Sequence, residues 1–448
     1  MDLNALLHTR EHRGPLRTRP KAIVFALLLA MSVPCAFAQE ASATSAKPDL
    51  LVMHDGAQVR NSAMFLEQRR PEIFLDVQEN VYGRTPRAKV PTTARVTSAE
   101  TKALGGAAIR KQITVTFGEK LQREMHILLY LPSHAAGPVP VFVGLNFDGN
   151  QTVSADPGID LSTVYLPDPA LDNVEIAKEL KGHIRQTAKP ETRGTSASQW
   201  QVEAIVGAGY GLATVYAGDI EPDFATGISW GVRPLLFKDK QWIPEADGWG
   251  AIGAWAWGMS RIVDYLVTDP AIDAKKIIAF GHSRFGKTAL WAGAQDSRFA
   301  MVISNESGQG GASLSKPARA ETVAHLNIAF PYWFCPNYHN YTGRTDALPV
   351  DGHFVLALIA PRPLYVSSAI DDPYSDPKGE FEAVVAASTV YRLFGKQAID
   401  VTSMPPVEHP VGGVLRYHLR SGPHDVTAYD WQQYLKFADD QFKHQGHS

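Results

Sequence analysis

The sequence predicts an α/β protein, a three-layer sandwich in which helices cover both faces of a mostly parallel central sheet. Three observations carry the prediction. Short apolar runs rich in Val, Ile and Phe alternate with longer stretches of helical apolar spacing, the pattern of strands joined by crossover helices. The strand-like runs nearest the start follow one another with no helix between them, which suits an antiparallel edge on such a sheet. No internal repeat and no shift of composition divides residues 50–448, so a single domain is expected there.

Taken in order, ARVTSAE, KQITVTFG and MHILLYLP read as the edge strands, and PVPVFVGLNF follows after a Gly-Pro turn. Residues 150–198 are polar, with Pro, Asp and Thr scattered through them, and form a long insertion. SQWQVEAIVGAGYG then reads as helix and GLATVYAG as strand. DGWGAIGAWAWGMSRIVDYLVT is helical up to Asp269-Pro270, and KKIIAFG is a strand. A helix from Arg284, a strand FAMVISNE, and a helix–break–strand unit VLALIAPRPLYVSSAID come next. EFEAVVAASTVYRLFG is a helix, LRYHLRSG the last strand, and an amphipathic helix runs from Tyr429 to Lys443.

The N-terminus is of another kind. Arg10, Arg13, Arg17, Arg19 and Lys21 precede the apolar run AIVFALLLAMSVPCAFA, which closes on Ala36-Phe37-Ala38. Basic stretch, short apolar core and A-x-A define an export signal over residues 1–38, cleaved before Gln39. Residues 39–49 are a small, polar, flexible lead-in. The run is shorter than the roughly 20 apolar residues a membrane span needs, so no span is expected once the signal is removed. The location expected is the periplasm or the medium.

The chain has 43 Lys and Arg against 46 Asp and Glu; five and two of these lie in residues 1–38, which leaves 38 against 44, a formal charge of −6. Such a balance gives no electrostatic case for gripping nucleic acid. Cys335 is the one cysteine left, so no intramolecular disulfide forms, and it reads as a small buried hydrophobe. A monomer is expected.

GHSRFGKT, residues 281–288, matches two motifs at once. As G-x-x-x-x-G-K-[ST] it is a phosphate-binding loop; as Gly-x-Ser between strand and helix it presents Ser283 as a nucleophile. A phosphate loop needs small residues inside it and an acidic magnesium partner at a later strand end. Here Arg284 and Phe285 crowd the loop, and the next strand ends in Asn305-Glu306-Ser307. No bound nucleotide is expected. The nucleophile reading requires serine, acid and histidine in that order. Glu306, the pair Asp371-Asp372 and His424 each follow a strand-like run, and sites in parallel sheets gather at such strand ends. His424 then takes the Ser283 proton, and a carboxylate orients the imidazolium. Gly281 supplies the small residue at −2, whereas +2 is Phe285 rather than the usual Gly. The Arg284 N–H and guanidinium are candidates for holding the oxyanion.

These residues resemble the glucuronoyl esterases, carbohydrate esterase family 15. GHSRFGK fits the family's nucleophile motif, and Glu306-Ser307-Gly308-Gln309-Gly310-Gly311 fits its acid motif. LPVDGHFVLALIAPRPLYV, DPKGEF and LNFDGNQT are further points of likeness, and the resemblance spans roughly residues 60–440. It implies an α/β-hydrolase fold and a metal-free, cofactor-free serine esterase. Such an enzyme cleaves esters between lignin alcohols and the 4-O-methyl-glucuronic acid branches of glucuronoxylan. It also implies Ser283 as nucleophile, His424 as base and Arg284 as oxyanion stabiliser. Glu306 is implied as the principal acid, with Asp372 a second one found in some bacterial members. Lys287 and Glu321 are implied as contacts to sugar hydroxyls, and Tyr374 stands where the family usually has a stacking Trp. Taken alone, Lys287 reads as a solvated lysine in a helix's first turn and Glu321 as a surface residue. His325, His339, His353, His409 and His418 show no metal-ligand spacing. Trp200, Trp249 and Trp333 are candidates for a sugar-facing rim. An acetyl-xylan esterase or peptidase on the same fold is the alternative, but an uncharged acyl group gives no reason for two cations beside the nucleophile.

Overall fold

In the computed structural model, which describes residues 49–168, 182–237 and 244–443, twelve strands are present. They are β1 (Thr92–Ala103), β2 (Ala108–Phe117), β3 (Arg123–Pro132), β4 (Val139–Asn146), β5 (Thr163–Pro167), β6 (His183–Thr187), β7 (Gly211–Tyr216), β8 (Ile272–His282), β9 (Phe299–Asn305), β10 (Leu364–Ala369), β11 (Val411–Gly412) and β12 (Leu415–Arg420). Ten of them form one sheet in the order β1-β2-β3-β7-β4-β8-β9-β10-β12-β11. The run from β7 to β12 is parallel throughout, and antiparallel pairs occupy the two edges. This is the α/β-hydrolase architecture expected.

Burial explains the order. Every residue of β7 and β10 is buried, as strands covered on both faces must be. By contrast β1 is solvent-exposed along nearly its whole length, and its Thr, Arg, Glu and Lys side chains keep that edge from recruiting other strands. Helices α1 (Val202–Gly207) and α5 (Ala428–Lys443) pack on one face. In α5, Trp431, Tyr434, Phe437 and Ala438 are buried at helical spacing against Phe142 and Phe280. The opposite face carries α2 (Ala251–Leu266), α3 (Arg284–Gln295) and α4 (Pro377–Leu393), with Trp255 and Trp291 at its centre. The helix read over 198–211 is broken, because Gln201 sits in the left-handed region between two short turns.

The described residues all belong to one compact unit. The expected export signal and residues 39–48 lie outside the described residues. Within the insertion, β5 and β6 pair as an antiparallel hairpin, Thr163 facing Thr187 and Pro167 facing His183. Cys335 is buried, and burial pushes its thiol up to about 12, which keeps it protonated. No helix among the described residues is long and apolar enough to cross a membrane.

Candidate active site

Four neighbouring parallel strands, β8, β9, β10 and β12, end on one side of the sheet, and each is followed by a residue of the predicted constellation. Ser283 comes directly after β8 and Glu306 directly after β9. Asp372 follows β10, and His424 follows β12.

Ser283 is held at φ 56°, ψ −127°, a strained conformation for a residue with a Cβ. Its N–H donates to the Asn305 carbonyl at 2.9 Å, and its own carbonyl accepts from the Gly286 N–H at 2.8 Å. The turn is so tight that a Cβ on Gly281 would lie 1.8 Å from the Phe285 carbonyl oxygen. The second small residue falls at +3 rather than +2: a Cβ on Gly286 would press on Ser307 at 2.8 Å. Phe285 itself points into the core, 4.4 Å from Phe147 and 5.2 Å from Trp255 between ring centroids.

His424 Nδ1 faces two carboxylates. It donates to Asp372 Oδ2 at 2.6 Å and lies 3.1 Å from Glu306 Oε2. The shorter bond belongs to Asp372, so the expected ranking of Glu306 as principal acid is reversed in the geometry. Asp372 Oδ1 is occupied by the N–H groups of Tyr374 and Ser375, at 2.8 and 3.2 Å. Burial pushes the Asp372 carboxyl up, but the His424 bond and these donors outweigh it and leave it at about 2. For Glu306 burial wins over its donors, and its carboxyl is pushed up to about 7. Burial lowers the His424 imidazole, yet the two carboxylates more than offset this and raise it to about 9. Below the other ring face, 4.5 Å away between centroids, lies His282, which burial pushes down to about 3 and so keeps neutral.

The Arg284 guanidinium pairs with Asp223 at 2.5 Å and lies 4.7 Å over the Trp333 ring. Asp223 also accepts from Tyr332 Oη at 2.9 Å and Trp333 Nε1 at 2.8 Å. Lys287 is buried, with Nζ 5.6 Å over Trp333; burial lowers its ammonium while Glu321 pulls the other way. The solvated first-turn lysine suggested by the bare sequence is therefore corrected. Ser283, Arg284, Lys287, Glu321, Tyr374 and His424 all border one cavity of about 260 Å³. Tyr374, 55% exposed, stands at its mouth. Here a nucleophile, a base with paired carboxylates, and two cations meet in one recess, the parts required for acyl transfer.

Comparison with known proteins places this arrangement. Residues 244–395 match the family described as "Glucuronyl esterase, fungi". The chain is 44% identical over 393 residues to carbohydrate esterase MZ0003 of an unknown prokaryotic organism, covering 88% of each protein. It is 48% identical to a glucuronoyl esterase from Solibacter usitatus, at a TM-score of 0.83 over 88% of this chain and 98% of that one. The chain belongs to the glucuronoyl esterases, carbohydrate esterase family 15. It is a carboxylic ester hydrolase. A further relative, the 4-O-methyl-glucuronoyl methylesterase 1 of Phanerochaete chrysosporium, is 38% identical over 154 residues, 32% of this chain and 33% of that one. A promiscuous esterase of family 15 from a marine bacterial metagenome is 44% identical, at a TM-score of 0.78 over 88% of this chain and 96% of that one.

Other expectations for the esterase fare differently. Trp333 lines the cavity, whereas Trp200 and Trp249 are core residues packed on Phe280 and Trp257. Asp371 is exposed, whereas Asp372 is buried beside His424. Glu306 Oε1 accepts from Arg420 Nη2 at 2.6 Å, and Oε2 accepts from the Asp425 N–H at 2.9 Å. His282, Glu306 and His424 bring ligand atoms within 4.8 Å of one another. With a guanidinium on Glu306 and a carboxylate on His424, that set is built for hydrogen bonds, and a second cation there would be repelled. Asp223, Arg420 and Ser375 were not foreseen, since nothing local in the sequence marks them.

Proposed function

We propose that this esterase hydrolyses the ester bonds between 4-O-methyl-glucuronic acid branches of glucuronoxylan and lignin alcohols, through an acyl-enzyme on Ser283. The observation that supports the reading most is the pair of cations, Arg284 and Lys287, in the same cavity as Ser283 and His424. A uronate ester offers ring hydroxyls to Lys287 and Glu321 and a carbonyl to Arg284. In this reading Ser283 Oγ attacks the ester carbon as His424 takes its proton. The Arg284 N–H and guanidinium hold the oxyanion, and the alcohol leaves with the proton returned by His424. Water repeats the sequence and frees the uronate. Asp372 and Glu306 keep the imidazolium aligned throughout. The chain is exported with residues 1–38 removed, and works as a monomer in the periplasm or the medium.

The test is a direct comparison of substrates on purified protein. A glucuronate benzyl or methyl ester should be hydrolysed with far higher kcat/KM than an acetyl ester, and Ser283→Ala should lose about 10³-fold or more while melting at the wild-type temperature. Equal rates on the two substrates, or activity retained by the alanine variant, would overturn the assignment.

A further inference from the structure

The loop that clamps Arg284 through Asp223 carries an exposed tryptophan seven residues further on, at Trp230, which is 48% exposed. The loop is tied down at its base. Glu221 and Arg233 form a buried ion pair, with Arg233 Nε 2.7 Å from Glu221 Oε2. Arg233 Nη1 also donates to the Trp249 carbonyl, and Trp255 Nε1 to the Glu221 carbonyl. From β3, the Arg123 guanidinium reaches across to the carbonyls of Gly231 at 2.9 Å and Ser229 at 3.0 Å, on either side of Trp230. The indole is thus carried on a well-anchored loop, and leaving about half of so large an apolar ring in water has a cost.

Trp230 borders a cavity of about 430 Å³ that shares no lining residue with the Ser283 cavity, a size typical of ligand clefts, about 300–1,000 Å³. Tyr165 of the β5–β6 hairpin flanks it, with ring centroids 6.0 Å apart. Around these rings stand Arg185, Glu124, and the pair His126 and Asp219, joined at 2.9 Å. The mixture narrows the ligand. A pyranose has an apolar C–H face and a rim of hydroxyls, which match an aromatic face bordered by charged donors and acceptors. A free aryl group would find too many charges, and a phosphate backbone would meet Glu124 and Asp219.

We propose that this groove is a second carbohydrate subsite, in which a pyranose of the polymer backbone stacks on Trp230 while Arg185 and Asp219 hold its hydroxyls. The identity of the polymer, glucuronoxylan, rests on the function proposed for the Ser283 cavity; the class of ligand does not. The subsite adds affinity for polymeric substrate at a distance from the reacting bond, and it shares the loop that fixes Arg284.

Trp230→Ala tests it. KM on polymeric glucuronoxylan ester should rise on the order of tenfold, the loss expected of one aromatic contact, with kcat unchanged. Kinetics on a small methyl glucuronate ester should stay at wild-type values, and Trp230→Phe should restore part of the affinity. Calorimetric titration of Ser283→Ala with de-esterified glucuronoxylan oligosaccharides should show binding that Ser283→Ala/Trp230→Ala loses. Unchanged polymer KM, or an equal change on small and polymeric esters, would overturn the subsite, as would titration showing binding of an aryl alcohol and none of the oligosaccharide. If the wild type fails on the small ester, the proposed reaction falls instead, and the titration still decides the subsite.

Discussion

Two carboxylates reach the same nitrogen of His424, and they are held in different ways. Glu306 is buried and borders the Ser283 cavity. Its oxygens meet Arg420, the Asp425 N–H and the imidazole, and Arg420 in turn donates to Asp430 at 2.8 Å while Asp430 accepts from His418 at 2.9 Å. Asp372 arrives on a turn whose own N–H groups fill its second oxygen, leaving the first for His424. Glu306 is thus one node of a structural network that also touches the base, whereas Asp372 has the base as its main side-chain partner. The difference teaches that closeness to a catalytic histidine is not enough to assign a role: what else the carboxylate holds decides what its loss will cost.

Of the single changes at the two acids, Asp372→Asn should therefore have the larger effect. The amide keeps the turn but removes the charge that stabilises the imidazolium, and kcat/KM should fall by roughly 10³-fold, about 4 kcal/mol. The same substitution shifts the pH profile. A neighbouring anion raises an imidazole, so the base form of His424 is reached only as pH climbs toward about 9. Without Asp372 the acidic limb of kcat/KM against pH should move to lower pH while its plateau drops. A limb that stays in place, or moves up, would show that Glu306 sets the imidazole's ionisation.

Glu306→Gln should reverse the balance between activity and stability. All the groups facing its oxygens are donors, so an amide N–H must be turned toward another N–H. A buried donor left without an acceptor costs about 1–3 kcal/mol, readable as a lower midpoint in urea. Activity should fall only about tenfold, since Asp372 still orients the ring. Combined with Asp372→Asn the loss should exceed the sum of the two, because either acid partly covers for the other. Additive losses would mean that the two acids act separately.

The comparison also shows how far the sequence could be read. Ser283, Glu306, Asp372 and His424 were legible because each follows a strand-like run, directly or within four residues, and a parallel sheet brings such positions together whatever the intervening chain. The fold class was legible for the same reason: strand and helix periods are local. Asp223, Arg420 and Trp230 were not. Asp223 meets Arg284 across 61 residues of sequence, and Arg420 meets Glu306 across 114; such pairings depend on loop paths that no local pattern encodes. Which acid lies nearer His424 was not legible either, since it turns on half an ångström.

Glu380 offers the smallest and most selective test of the contrast. It belongs to the DPKGEF segment, on α4, and sits fully buried beneath both acid loops. Oε1 accepts from the Gly308 N–H at 2.9 Å, just past Glu306, and Oε2 lies 2.6 Å from Ser368 Oγ, on the strand leading to Asp372. Here, unlike at Glu306, one partner is a hydroxyl that can turn to accept, so the neutral acid is satisfied. Burial raises its carboxyl from 4.5 to about 8, and below that pH it is neutral in the folded protein. Glu380→Gln should then leave kcat/KM near pH 7 within about twofold, as a neutral amide replaces a neutral acid of the same shape. The sign of the linkage gives the second readout. A carboxyl raised on folding holds more protons in the native state, so its contribution to stability declines as pH rises from 4.5 to about 8 and is flat beyond. The glutamine variant lacks that decline. Its unfolding midpoint relative to wild type should therefore rise steadily between pH 5 and pH 8. A relative midpoint that stays flat over that range would mean Glu380 is ionised in the native state, its charge held by the Gly308 N–H and the hydroxyls of Ser307 and Ser368, and would make it a third anion beneath His424.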